Sequence, residues 1–235
     1  MYVGAGSHAL PLLAAAVRRP ALGPARKWVL WWCAFLVSAS AFTLVLALQG
    51  RNNHWLRYVG TPVATALILW ALAWWQLTPL ARLTVRLLIP LVAIAWVPIV
   101  LTIEDTQTFS LLAEPFAGLV ILAAAIYTLA ARALREHGSL VSQDWFWVTT
   151  GVAFYCGAVV ALPPTSYWLL DRHPQMVVRA YQVKALVEVL AFLAIAWGVT
   201  RQSSAVGTDG WWAFGRGSPP GSSRSRPGRL PRTWD

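Results

Sequence analysis

Six apolar stretches, each long enough to cross a bilayer as a helix, dominate the chain. A transmembrane helix needs roughly 20 apolar residues, because each residue adds about 1.5 Å across a hydrocarbon core about 30 Å thick. The sequence therefore predicts an all-α fold, a polytopic transmembrane helix bundle with six spans. The predicted spans are Trp28–Leu48, Tyr58–Leu77, Leu87–Ile103, Phe109–Ala131, Trp145 to Pro163-Pro164, and Tyr181–Thr200.

Composition supports a single membrane domain over residues 28–200. Charged residues make up 12% of the 235 positions and hydrophobic ones 57%, whereas soluble domains carry about 25% charged residues. A net charge of +10 would suggest nucleic-acid binding in a soluble protein. Here most arginines flank apolar spans, where they anchor and orient helices. We therefore expect the lipid bilayer as the partner and no nucleic acid.

The two ends are expected to be a cytoplasmic N-terminal segment, residues 1–27, and a disordered basic tail, residues 201–235. The apolar run His8–Val17 is too short to span, so it is expected to lie on the membrane surface or to be disordered. The tail is rich in Gly, Ser, Pro and Arg, a composition that cannot bury a core.

Orientation follows from the Lys and Arg counts on the two sides of the predicted spans. With both termini in the cytoplasm, fourteen of these residues lie inside and four lie outside. Positive residues concentrate on the cytoplasmic side of membrane proteins. We therefore predict a multi-pass protein of the cell membrane with both termini cytoplasmic.

Prolines predict where the spans are irregular. Pro90 and Pro98 lie inside the third span, so we expect a kink there. Pro163-Pro164 is expected to end the fifth span, which leaves Thr165–Arg179 as the longest loop between spans.

The last span carries Lys184 and Glu188, and the fourth begins near Glu114. Residues four apart share a helical face, and an intramembrane charge needs a partner or a route to water. Glu114 and Lys184 are each expected about 5–8 Å below the outer surface, with Glu188 one turn deeper. We therefore predict an outward-facing polar cluster of Glu114, Lys184 and Glu188, joined by Tyr181 and Tyr155.

This cluster has a functional and a structural interpretation, and the sequence leaves both open. Two carboxylates facing one lysine leave one acid in excess, which burial would tend to keep protonated. Such a cluster would bind a ligand or a proton. In the structural interpretation, Lys184 and Glu114 reach the headgroups, and the ion pair only fixes helix register.

Other chemistry-bearing residues form no recognisable catalytic or metal pattern. His54, His173 and Asp171 fall in separate predicted loops, which is a weak metal signal. Cys33 and Cys156 lie inside apolar spans and are expected to pack. Because no nucleophile, phosphate-loop or zinc-helix motif is present, we predict that the protein is not an enzyme and has no cofactor.

The segment SQDWFWVTTGVAFYCGAVVAL, with the closing helix after it, resembles a family of bacterial multi-span membrane modules. Those modules open a late helix with an aromatic FW pair and a small-residue run of the form G-v-l-x-Y-x-G, and Glu114 occupies a similar position. Some form the N-terminal membrane sensor region of histidine kinases. The resemblance covers about residues 50–200 and implies a bacterial inner-membrane sensor. Because no kinase region is present, it implies signalling through a partner protein.

Three functions compete at this point. A non-catalytic sensor or accessory module would recognise a membrane-soluble or outer-face ligand through the polar cluster. A small transporter or proton-coupled carrier would suit six helices with buried acids, although the repeats and broken helices common in carriers are not visible. A lipid-modifying enzyme would need acids, histidines or a metal gathered at one face.

Overall fold

The computed structural model describes residues 2–104, 110–136, 138–172 and 174–201, which contain helices and no strand. The helices are α1 (Tyr2–Ser7), α2 (Leu10–Arg18), α3 (Pro24–Leu48), α4 (His54–Trp74), α5 (Pro79–Pro98), α6 (Ala113–Ala133), α7 (Asp144–Arg172) and α8 (Pro174–Thr200). A π-helical turn, Ile99–Ile103, extends α5, and a short 3₁₀ turn, Leu140–Ser142, precedes α7.

Six of these helices, α3 to α8, are long and apolar enough to cross a membrane. The predictions of an all-α fold and of six spans are therefore confirmed. Which side each terminus faces stays a prediction. The predictions for the tail beyond Arg201, for His173 and for Phe109 as the start of the fourth span lie outside the described residues.

The third span begins eight residues earlier than expected, at Pro79 rather than Leu87. Proline is favoured at the first helical position, where its missing N–H has no intrahelical partner to lose. The Thr78 hydroxyl accepts a hydrogen bond from the Ala81 N–H at 3.1 Å, which caps the helix. The helix continues through Pro90 and changes to the π-helical turn directly after Pro98.

The expected loop over Thr165–Arg179 is wrong, because α7 runs through Pro163-Pro164 to Arg172. Membrane helices tolerate proline where serine or threonine side chains and neighbouring helices satisfy the freed carbonyls. With 29 and 27 residues, α7 and α8 form a hairpin about 40 Å long, which exceeds the hydrocarbon thickness.

Two glycines bring α7 and α8 into close antiparallel contact. A Cβ at Gly151 would lie 2.5 Å from the Ala191 carbonyl oxygen, and one at Gly198 would lie 2.7 Å from Val148 Cγ2. Small residues permit such close helix approach in membranes, where packing rather than the hydrophobic effect holds helices together. The core beside this contact is fully buried and consists of Trp32, Ile68, Leu69, Leu72, Val148, Val152, Phe192 and Ile195.

The N-terminal segment differs from the expected surface or disordered segment. Helices α1 and α2 pack against α8, with further contacts to α3. Ser7 and His8 are buried there, and Arg18 donates to the Thr200 hydroxyl at 3.3 Å. The apolar run that is too short to span thus packs against two spans and runs parallel to α8, from His8 beside Phe192 to Arg18 beside Thr200.

Arg26 holds the ends of three spans together. Its guanidinium lies 3.6 Å from Asp144 of α7 and donates to the Val199 carbonyl of α8 at 3.4 Å. Both side chains of the ion pair are buried. The start of the first span and the end of the last therefore lie on the same side, as six crossings require.

Candidate functional site

Helix α8 places Lys184 and Glu188 on one face, as their spacing predicts. Lys184 Nζ lies 2.6 Å from Glu188 Oε1, and the two side chains are 20% and 9% exposed. The pair is deeper than expected, because α8 begins at Pro174 rather than near Tyr181. Glu188 lies near the middle of the 26-residue span Gln175–Thr200, where a carboxylate without a partner is costly.

Glu114 pairs with Arg57 rather than with Lys184. Arg57 Nη1 donates to Glu114 Oε2 at 3.0 Å, and this pair is more exposed, at 42% and 23%. The sequence places Arg57 at the end of a loop, but α4 begins at His54 and carries it in its first turn. The expected excess of acid is therefore wrong, since two cations face two carboxylates.

Tyr155 of α7 lies near both ion pairs. Its phenol is within electrostatic range of Glu188 on one side and of Glu114 and Arg57 on the other. Tyr181 of α8 is within electrostatic range of Arg57. The five residues predicted from the sequence thus fall in one region of the bundle, where Arg57 joins them to form two separate ion pairs.

Two aromatic rings, those of Phe192 and Tyr155, lie against the buried imidazole of His8. Phe192 stacks on Trp32 at 5.7 Å between ring centroids, and Tyr155 meets Phe192 edge-on at 5.4 Å. The His8 ring lies 4.5 Å from Phe192 and 6.1 Å from Tyr155. His8 Nδ1 lies 3.5 Å from the Ser40 hydroxyl, and its buried Nε2 has no hydrogen-bond partner among the described residues.

Helix α1 closes the site from the side opposite Lys184. A Cβ added at Gly4 would collide with Glu188 Oε2, so a larger residue at that position requires the Glu188 carboxylate to move. Sequence analysis missed Gly4, His8 and Arg57 as part of the site. Nothing in the run that contains Gly4 and His8 predicts docking against α8, because a short helix that buries itself in protein has the same composition as one at the membrane surface.

A groove of about 670 Å³ lies between α6, α7 and α8 and reaches Lys184. Its lining is otherwise uncharged among the described residues, with Thr150 and Thr165 as polar members. Lys184 therefore faces the groove while Glu188 faces α1. The ion pair connects a possible ligand surface on one side to the N-terminal helices on the other.

No group of three or more His, Cys, Asp or Glu in the described part of the chain is placed to hold a metal ion. Cys33 and Cys156 are buried and not bonded to each other. Compared with protein-family models, curated proteins and solved structures, the chain matches none of them.

Proposed function

We propose that this integral membrane protein is a non-catalytic sensor or accessory module that recognises a membrane-soluble ligand through the Lys184–Glu188 pair. The observation that carries the proposal is the position of this pair. It is largely buried near the middle of a span, and it separates an apolar groove from a docked N-terminal segment. Intramembrane ionisable residues with such placement are functional candidates by default.

A sensor must convert binding into a structural change, and a ligand does so only if it binds one state better than another. A ligand that accepts a hydrogen bond from Lys184 would share the ammonium with Glu188 and so weaken their 2.6 Å bond. Glu188 Oε2 lies against Gly4, so any movement of the carboxylate is passed directly to α1. The N-terminal helices are then the element whose docking the ligand controls.

The resemblance to membrane sensor regions of histidine kinases supports signalling rather than chemistry in this chain. In this proposal the module acts on a partner membrane or signalling protein. We place both termini in the cytoplasm of a bacterial cell on the basis of the Lys and Arg distribution. In that orientation the pair lies in the outer half of the membrane and α2 ends at the cytoplasmic face.

The chain holds two lysines, which gives a matched test. Lys27 is exposed at the start of α3, whereas Lys184 is largely buried. We expect a thermal-shift screen of membrane-soluble compounds to find ligands that raise the Tm of the wild type. The shift should be lost in Lys184→Met and kept in Lys27→Met. A screen without any stabilising compound, or an equal shift in both variants, would contradict the sensor function.

A proton-coupled carrier is the second candidate, and the buried titratable groups Glu188 and His8 favour it. Liposomes that contain the protein and a pH-sensitive dye distinguish the two functions. A carrier produces flux when a proton gradient is imposed, and Glu188→Gln abolishes that flux. The sensor function predicts no flux in either protein.

A further inference from the structure

We propose that the groove between α6, α7 and α8 binds a long-chain carboxylate, a single acyl chain with one anionic head. The carboxylate would contact Lys184, and the chain would lie along α7. This inference rests on the proposed sensor function and names the class of its ligand.

The N–H donors of Lys184 favour a ligand whose head group accepts hydrogen bonds. Lys184 is the charged residue of the described lining, and its ammonium carries three N–H donors. Glu188 Oε1 takes one of them at 2.6 Å, which leaves two for a second acceptor. A hydrogen bond from an ammonium to a carboxylate is roughly twice as strong as a neutral one, and more so away from water.

The remainder of the groove fits an unbranched chain. Its α7 side extends from Thr165 to Thr150, about 22 Å of helix. Small residues make up half of this side, namely Ala153, Gly157, Ala158 and Ala161, and Phe154 and Leu162 are its large members. A Cβ added at Gly157 would meet no atom within 4 Å, so the space above it is open. The volume of about 670 Å³ lies within the range of small-molecule sites, roughly 300–1,000 Å³.

The depth of Lys184 favours a carboxylic acid over a phospholipid. Ala180 lines the same groove one turn closer to the connection between α7 and α8, so Lys184 lies inside the groove and not at its rim. A phosphodiester stays ionised and remains at the membrane surface. A carboxylic acid enters the hydrocarbon in its neutral form and ionises beside a cation.

Photo-crosslinking in lipid nanodiscs tests the proposal. A palmitic acid analogue with a diazirine in its chain should label residues between Thr150 and Thr165, as mapped by mass spectrometry. Oleate should compete for this labelling. Oleyl alcohol, which has the same chain without the charge, should compete roughly tenfold less well, a difference of about 1.4 kcal/mol. Oleylamine should not compete.

Two variants separate a defined site from bulk lipid. Gly157→Leu fills the groove and leaves the ion pair intact, so it should reduce labelling about tenfold. The matched control is Ala66→Leu in a second groove of about 330 Å³ between α4 and α5, which has no charged lining residue. This control should label like the wild type. Lys184→Gln should also lose labelling while keeping a cooperative melting transition.

Several outcomes would overturn the inference. Equal competition by oleate, oleyl alcohol and dioleoyl phosphatidylglycerol would mean that the groove holds bulk lipid. Stronger competition by oleylamine would mean that the site binds cations, which leaves the sensor function standing. Unchanged labelling in Gly157→Leu would place the ligand elsewhere. A further outcome separates the two proposals. If labelling is as expected but oleate does not change the protection of residues 2–18 from hydrogen exchange, the groove binds a long-chain carboxylate and the proposed sensor function is wrong.

Discussion

Gly4→Ala should release the N-terminal helices from the bundle, whereas Gly6→Ala should not. Both substitutions lie in the same helix, α1, and both gain up to about 1 kcal/mol in helix propensity. They differ in what the new methyl group meets. At Gly4 it collides with Glu188 Oε2, and at Gly6 it meets nothing within 4 Å. Gly6→Ala is thus a control matched in chemistry and in position.

The magnitude follows from how the Glu188 carboxylate is held. Its side chain is 9% exposed and is bonded to Lys184 at 2.6 Å, so it cannot retreat without weakening that charge-assisted bond. Overpacking a well-packed site costs about 1–3 kcal/mol. If α1 separates from α8 instead, the free energy of docking falls by the same amount. The docking free energy of residues 2–18 should therefore be lower in Gly4→Ala than in Gly6→Ala by this amount. The docking equilibrium constant should then be about 5- to 150-fold smaller.

Hydrogen–deuterium exchange with mass spectrometry measures this equilibrium. Amides in residues 2–18 should exchange 5- to 150-fold faster in Gly4→Ala than in Gly6→Ala, with the six spans unchanged. The same pair of substitutions in a Glu188→Ala background should exchange equally, because the colliding oxygen is absent. Equal exchange in the Glu188-containing proteins, or a difference that persists without Glu188, would refute the contact between α1 and α8.

Three further predictions concern stability. Burial lowers the pKa of His8 to about 4, with Glu188 opposing and Lys184 adding to the shift. Because the docked state disfavours the protonated imidazole, docking of residues 2–18 should be complete above pH 6.5 and weaken by up to about 3 kcal/mol as pH falls through about 4. A hydrogen-exchange rate of residues 2–18 that does not change with pH, or the same pH dependence in His8→Gln, would contradict this. Arg26→Ala should lower the unfolding free energy by about 3–5 kcal/mol, because it breaks a buried ion pair; an unchanged denaturation midpoint would refute that role. Gly198→Ala should lower the free energy of unfolding by about 1–3 kcal/mol, whereas Gly157→Ala should leave it unchanged or raise it. Equal denaturation midpoints of the two variants would mean that α7 and α8 are not in close contact at Gly198.

The number and class of the helices were readable from the sequence because a bilayer imposes one length on every span. Any apolar stretch of that length must satisfy its backbone internally, so it becomes a helix whatever its neighbours do. The ends of the helices were less predictable. Pro163-Pro164 predicts the end of a helix, yet α7 continues to Arg172, because membrane helices tolerate internal proline.

The partners of the charges were decided only by the tertiary structure. The Lys184–Glu188 pair is local, because its spacing of four residues fixes it on one helix. The partner of Glu114 is distant in sequence, and only the packing of α4 beside α6 brings Arg57 to it. Which charges pair across helices depends on the rotation of each helix about its axis and on its depth in the membrane. The lengths of the apolar stretches in the sequence give neither of these.

The sequence by itself determined an all-α membrane bundle of six spans and the one ion pair internal to a helix. Tertiary structure alone decided that residues 2–18 dock on α8, that Gly4 contacts Glu188, and that Lys184 opens onto a groove. The physical reason is that the bilayer acts on each segment separately. Contacts between segments depend on which surfaces fit closely once all the helices are assembled.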